Sequence, residues 1–203
     1  MTSQSTSESV RQAVRSSEDR VFTTRDILNQ SPGATRTLVD QVISRMVRAG
    51  ELQRLSRGLF SRPKIHRELG PLAPLSEDIA AAVERSIGMP VIPSGALALH
   101  ALGLSQQVPA HLDFKTAGPT RTIWVGKRQI RLKHASARRF RVRARVVPLV
   151  IEALSALGRR RVNEDTVKTL RQVISERDRA ELLKHIGDAP VWMQLHLRRI
   201  AAA

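Results

Sequence analysis

Between Arg45 and Arg62 the chain reads RMVRAGELQRLSRGLFSR. A helical apolar period begins upstream. At about 100° per residue it places Leu38, Val39, Val42, Ile43, Met46 and Val47 on one side, and it stops at Gly50. Glycine closes a helix because it takes the left-handed conformation without a Cβ clash. The stretch beyond Gly50 is too short for another helix. Leu52 to Leu55 and Leu59 to Arg62 are predicted as strands around a Ser56-Arg57-Gly58 turn. Pro63, which has no N–H to donate, ends the second strand, expected at the sheet edge. A helix joined so closely to so short a hairpin admits few folds.

Upstream, Val10, Ala13 and Val14 mark the buried stripe of a modest helix from Ser7 to Arg15. In VFTTRDIL, Thr23 or Thr24 serves as N-cap and Asp26 complements the helix dipole, so a second helix runs to about Asn29. NQSPGAT is a turn. A third helix is then expected from about Thr35 to Ala49. Helix, helix, turn, helix, hairpin is the order of a winged helix-turn-helix, expected over residues 1–68.

In that geometry the third helix enters the major groove with its N-terminal residues nearest the base edges. Its polar face and margins carry Thr35, Arg36, Thr37, Asp40, Gln41, Ser44, Arg45 and Arg48. Arg36 suits guanine O6/N7 and Gln41 adenine N6/N7. Arg54, Arg57 and Arg62 on the wing suit phosphate or a minor groove, positioning the module more than specifying its site. Winged helices also serve as protein-protein modules, and a polar helix face is often only solvated. Both alternatives stay open at the level of sequence.

The formal net charge is +16, which favours a polyanionic partner because neutralised phosphates release counterions. The charge is uneven. Lys and Arg number 14 against 2 Asp and Glu between Val91 and Arg161. There is no cysteine, so disulfides and thiolate metal sites are excluded. No apolar run of bilayer length occurs, and MTSQSTSES lacks the marks of a signal peptide, so a cytoplasmic protein without membrane association is expected.

HRELGPLAPLSEDI reads as a boundary, with a second domain over residues 75–203. A helix from Ser76 buries Ile79, Val83 and Ile87, and Val91-Ile92 is a short strand candidate. Ser94 to Leu104 is apolar almost all round and predicts a fully buried helix, with His100 as a hydrogen-bonded core or boundary histidine. Leu112 to Thr116 is a strand. Arg121 to Val125 and Gln129 to Lys133 form a hairpin around Gly126-Lys127 with one basic face. Alternation from Arg138 to Arg145 suggests an edge strand or extended arm. Together Lys127, Arg128, Arg131, Lys133, Arg138, Arg139, Arg141, Arg143 and Arg145 make a basic patch.

That patch is either a second phosphate-contacting surface on the same duplex or an RNA-binding face. Only Phe114, Trp124 and Phe140 are available for base stacking, so backbone contact is favoured. Helices are expected over 148–157, 164–174, 177–186 and 190–200, with Asn163 as an N-cap and Gly187 as a stop. Their charges nearly balance, so they read as packing or assembly elements. The class is α+β: a winged helix-turn-helix domain, then a mixed α/β domain with a short antiparallel sheet and a helical tail.

No phosphate-binding loop, dinucleotide fingerprint, HExxH or nucleophile elbow is present. Ser94 has no identifiable base, and the six histidines show no pair at ligand spacing. A non-enzyme without cofactor or metal is expected.

The wing stretch SRMVRAGELQRLSRGLFSRP, followed by PSGALALHALGLSQQVPAHLDFKTAGPTRTIWVGKRQIRLKHAS, resembles the AbiEi antitoxins of type IV toxin-antitoxin systems and their AbiEi-like transcriptional regulators. The resemblance covers most of Val21 to about Leu157. It implies an N-terminal winged helix, a C-terminal antitoxin domain with a positive surface, and autorepression at repeats in the operon's own promoter. It also implies a cognate toxin resembling a nucleotidyltransferase. By position, Arg36, Thr37 and Gln41 take the recognition-helix role and Arg57 the wing tip. The expectation is a sequence-specific DNA-binding repressor and antitoxin, bound to duplex DNA as monomer or dimer. The alternatives are a module that binds structured RNA or docks a toxin, and a stand-alone winged-helix regulator.

Overall fold

In a computed structural model of the chain, residues 3–68, 70–125, 128–142 and 144–202 are described, with side chains for all of these except 3–5, 71 and 138. The described chain divides into two compact units, one of residues 3–89 with 124–125 and one of residues 90–123 with 128–202.

In the first unit, α1 (Ser3–Ser16) buries Val10, Ala13 and Val14, as the spacing predicts. A strand not expected from the sequence, β1 (Val21–Thr23), runs straight into α2 (Thr24–Asn29). Thr23 caps that helix: its hydroxyl accepts from the Asp26 N–H, and the Asp26 carboxylate accepts from the Thr23 N–H at 2.9 Å. Such a reciprocal cap contributes about 1 kcal/mol. Thr35 caps α3 (Arg36–Arg48) through the Leu38 N–H, and Gly50, at φ +76°, lets the chain leave the helix. β2 (Gln53–Ser56) and β3 (Leu59–Ser61) form the expected hairpin, turning at Gly58 with φ +74°.

β3 is not the edge strand. The sheet order is β1-β3-β2, all antiparallel, with Phe22 opposite Phe60. β1 covers β3 because Val21, Phe22 and Thr23 are all buried, and Phe22 stacks on Phe60 with ring centroids 6.4 Å apart. Phe22, Ile27, Val39, Val42, Ile43 and Met46 meet α1's apolar stripe in one core. A second hairpin, β4 (Lys64–His66) with β5 (Gly70–Leu72), occupies the stretch read as an aperiodic boundary.

α4 (Ser76–Ile87) also belongs to the first unit and not to the second domain as expected from the prolines. The reason is Arg85. Its guanidinium reaches the Asp26 carboxylate at 3.2 Å, the Asp19 carboxylate at 3.2 Å and the Val21 carbonyl at 2.8 Å. Three acceptors from the edge of β1 and the start of α2 thereby hold α4.

After α4 comes a mixed sheet, order β6-β7-β9-β8, of β6 (Val91–Pro93), β7 (His111–Thr116), β8 (Arg121–Val125) and β9 (Arg128–His134). The expected sheet was antiparallel. β6 and β7 are, but β7 and β9 run parallel, pairing Leu112 with Ile130 and Phe114 with Leu132. These four residues are buried, so parallel pairing brings the apolar alternation of two strands onto one face. The expected turn at Gly126-Lys127 lies outside the described residues.

The buried helix expected over Ser94 to Leu104 is only α5 (Ala96–Ala101), which buries Leu97 and Ala98. His100 is exposed, with Nδ1 3.3 Å from the Ser105 carbonyl. The described residues of the arginine-rich stretch form no strand: Ala137–Phe140 is a 3-10 turn, and α6 (Val146–Leu157) follows. α7 (Glu164–Val173), capped by Asn163, α8 (Glu176–Lys184) and α9 (Val191–Ala201) complete the second unit. α8 ends before a short 3-10 turn that contains Gly187. Val150, Leu154, Leu170, Leu182, Leu197 and Ile200 form the core of these helices.

Among the described residues no helix is long and apolar enough to cross a membrane.

Candidate nucleic-acid interface

Val39, Val42, Ile43 and Met46 of α3 are buried, which turns the opposite face outward. Thr35, Arg36, Thr37, Asp40, Gln41, Ser44, Arg45 and Arg48 lie on that outward side or its margins, as expected from the helical period. Beside that face runs a groove between α3 and the β2–β3 hairpin. Arg36, Asp40 and Ser44 line one wall, Arg54, Arg57 and Gly58 the other, and Phe60 lies among its lining residues.

Two features of the groove have no local signature in the sequence. The Thr24 hydroxyl donates to Asp40 Oδ1 at 3.2 Å, tethering this carboxylate to the start of α2. Arg54 lies over the Phe60 ring, 5.9 Å from its centroid, within reach of a cation-π contact. The sequence predicts a strand from Leu59, but only the sheet shows that Arg54 and Phe60 are directly opposed. Arg36 sits 3.8 Å from Asp40 across one helical turn and is 78% exposed. Such an exposed pair contributes under about 1 kcal/mol, so Arg36 remains available to a partner.

Arg62 is placed differently from Arg54 and Arg57. Its guanidinium turns inward, donating to the carbonyls of Arg15, Ser17 and Asp19. It braces the α1–β1 connection and is not presented at the hairpin surface.

In the second unit, both acids of the basic segment are engaged. Asp113 on β7 takes a forked pair from Arg131 on β9, at 2.5 and 2.8 Å, and Lys133 at 3.4 Å. Glu152 on α6, buried, pairs with Arg139. Arg131, Lys133 and Arg139 are therefore partly neutralised. Arg128 is half-buried, whereas Arg141 and Arg145 are exposed. Lys127 and Arg143, and the side chain of Arg138, lie outside the described residues. Phe114 is buried in the sheet core and cannot stack on a base.

Burial alone would raise the Asp113 carboxyl, but the Arg131 hydrogen bonds and the charges of Lys133 and Arg131 outweigh it and hold its pKa below the ordinary value. A depressed carboxylate stabilises the fold above its unfolded pKa, and that contribution is lost as pH falls through the folded one. Asp113→Asn is thus expected to lower the neutral-pH unfolding midpoint and flatten its decline in acid, measured by thermal melts from pH 7 to 3. Parallel curves for wild type and variant would remove Asp113 as a source of that dependence.

Among the described residues no group of three or more metal-binding side chains is assembled.

Residues 7–182 match the family of unknown function DUF6088. The chain belongs to this family. Among solved structures, the DUF6088 chain is similar to the RV2827C protein from Mycobacterium tuberculosis, at 14% identity and a TM-score of 0.45, covering 96% of this chain and 81% of that one. No curated protein matches it.

Proposed function

We propose that the first unit is a winged helix-turn-helix that reads duplex DNA, with α3 as recognition helix and the β2–β3 hairpin as wing. On this reading the protein is a sequence-specific, cytoplasmic transcriptional repressor of its own promoter. One observation carries the proposal: the exposed face of α3 and the arginines of the hairpin border a single groove, Arg36 on one side and Arg54 and Arg57 on the other. A helix that offers amide, hydroxyl and guanidinium groups suits base edges, and flanking arginines suit the adjoining phosphates. The antitoxin role, with a nucleotidyltransferase-like toxin as its counterpart, is proposed on the resemblance to AbiEi proteins. The exposed Arg141 would add a phosphate contact from the second unit.

The test is a gel-shift titration against the gene's own upstream DNA and a shuffled duplex of equal length, at two salt concentrations. Selective, salt-weakened binding supports the reading. Equal binding to both duplexes would overturn it.

Arg57 stands at the wing tip and is exposed. Arg57→Ala is expected to weaken both duplexes alike and to make the log-log salt slope shallower by about one. A loss confined to the promoter duplex would move Arg57 from phosphate to base contact.

A further inference from the structure

The helical tail is nearly balanced in charge, with 7 basic residues against 6 acidic ones after Arg161. The fold sorts those charges unevenly. A shallow cleft beside α7 and α8 is lined by Glu164, Val167, Lys168, Arg171, Gln172 and Arg179. Residues 164, 168, 171 and 172 recur at helical spacing on one face of α7, and Val167 is buried beside them.

Among the described residues, the only carboxylate lining this cleft is already satisfied. Glu164 is hydrogen-bonded to Arg199 of α9, and that bond holds its carboxyl below the usual glutamate range. Elsewhere in the tail, Glu181 pairs with Lys184, and Asp178 accepts from the Ser175 hydroxyl. Among the described residues, Arg179 meets only Glu176, at 3.8 Å, and that carboxylate is 94% exposed. Lys168 and Arg171 have no carboxylate partner there. Yet the Arg179 side chain is only 20% exposed, and Arg171 is half-buried.

Withdrawing guanidinium groups from water is unfavourable when one has no counter-charge and the other only an exposed carboxylate at 3.8 Å. An anion in the cleft relieves that penalty. Two arginine forks, one ammonium and the Gln172 amide can surround a compact tetrahedral group carrying more than one negative charge, a better match than a lone carboxylate. We propose that this cleft binds a phosphoryl oxyanion, supplied by a soluble phosphate or diphosphate compound or by a nucleic-acid phosphodiester. The site does not depend on the α3 groove.

The probe is pyrophosphate, titrated calorimetrically into the full chain in a buffer free of other multivalent anions. Saturable one-site binding is expected, weakened about tenfold or more by Arg171→Ala with Arg179→Ala, as loss of charge-assisted bonds requires. Lys168→Glu alters only an exposed side chain and is expected to weaken binding similarly. Arg160→Ala, an exposed change outside the cleft, should leave it unchanged. A short arbitrary duplex added as competitor separates the two sources. Displacement of pyrophosphate, together with weaker duplex binding by Lys168→Glu, identifies a phosphodiester. Retention of pyrophosphate identifies a soluble phosphate compound. Non-saturable binding, or saturable binding that survives both Lys168→Glu and the double substitution, would overturn the site.

Discussion

Alanine at both Arg36 and Gln41 is expected to abolish the preference for promoter over shuffled duplex while leaving salt-sensitive, sequence-blind binding in place. The two side chains are exposed on α3, and their removal touches none of its buried contacts. In the proposed groove they are the bidentate readers, one suited to guanine and one to adenine. Each such pair contributes about 1–3 kcal/mol of discrimination, so losing both removes about 2–6 kcal/mol. Affinity for the shuffled duplex should fall only slightly, since Arg45, Arg48, Arg54 and Arg57 remain. The measurement is the ratio of promoter to shuffled Kd by fluorescence anisotropy, with the singles alongside. Arg36→Ala alone should relax one base position and Gln41→Ala another. A ratio unchanged in the double variant would place specificity outside this helix.

The polar face of α3 was legible because helix period and terminating glycine are local features. Val39, Val42 and Gly50 state them in one stretch. Pairing between distant segments was not legible. Val21–Thr23 carries too few residues to announce a strand, and becomes one only because β3 offers an open side for Phe22 to stack on. The prolines before Leu75, read as the domain boundary, lie within the first unit. That α4 belongs to it depends on Arg85 reaching back to Asp19 and Asp26.

Charge was harder still, because a count by segment ignores which face a side chain occupies. The run from Lys127 to Arg145 reads as a uniform positive surface, yet Asp113 and the buried Glu152 each take basic partners from it. The tail gives the converse case. Its charges nearly cancel in the count, but Glu164 pairs with Arg199 and Glu181 with Lys184, so Lys168 and Arg171 are left around one cleft with Arg179, which meets only the exposed Glu176 at 3.8 Å.

Arg62 tests most directly whether an arginine in this hairpin meets solvent or the fold. Its Nη1 donates to the Arg15 carbonyl at 2.7 Å, and its Nη2 donates to the carbonyls of Ser17 and Asp19. Its own N–H donates to the Arg20 carbonyl, and Arg20 in turn donates to the Leu72 carbonyl. The connection between α1 and β1 is thus wrapped around one guanidinium. Arg62→Ala removes a charged donor from three carbonyls at once. Charge-assisted bonds contribute about 1.5–3 kcal/mol each, and water entering this half-exposed site would replace part of the loss, so about 2–4 kcal/mol is expected. For a unit of this size that lowers the unfolding midpoint by about 10 °C or more. The salt slope of DNA binding, measured well below that midpoint, should stay unchanged. Arg57→Ala should give the opposite pattern, an unchanged midpoint and a shallower slope. Lysine at position 62 cannot fork to three carbonyls and should restore only part of the midpoint. Should Arg62→Ala instead leave the midpoint intact and flatten the slope, the guanidinium would belong on phosphate, and the brace would not hold the first unit together.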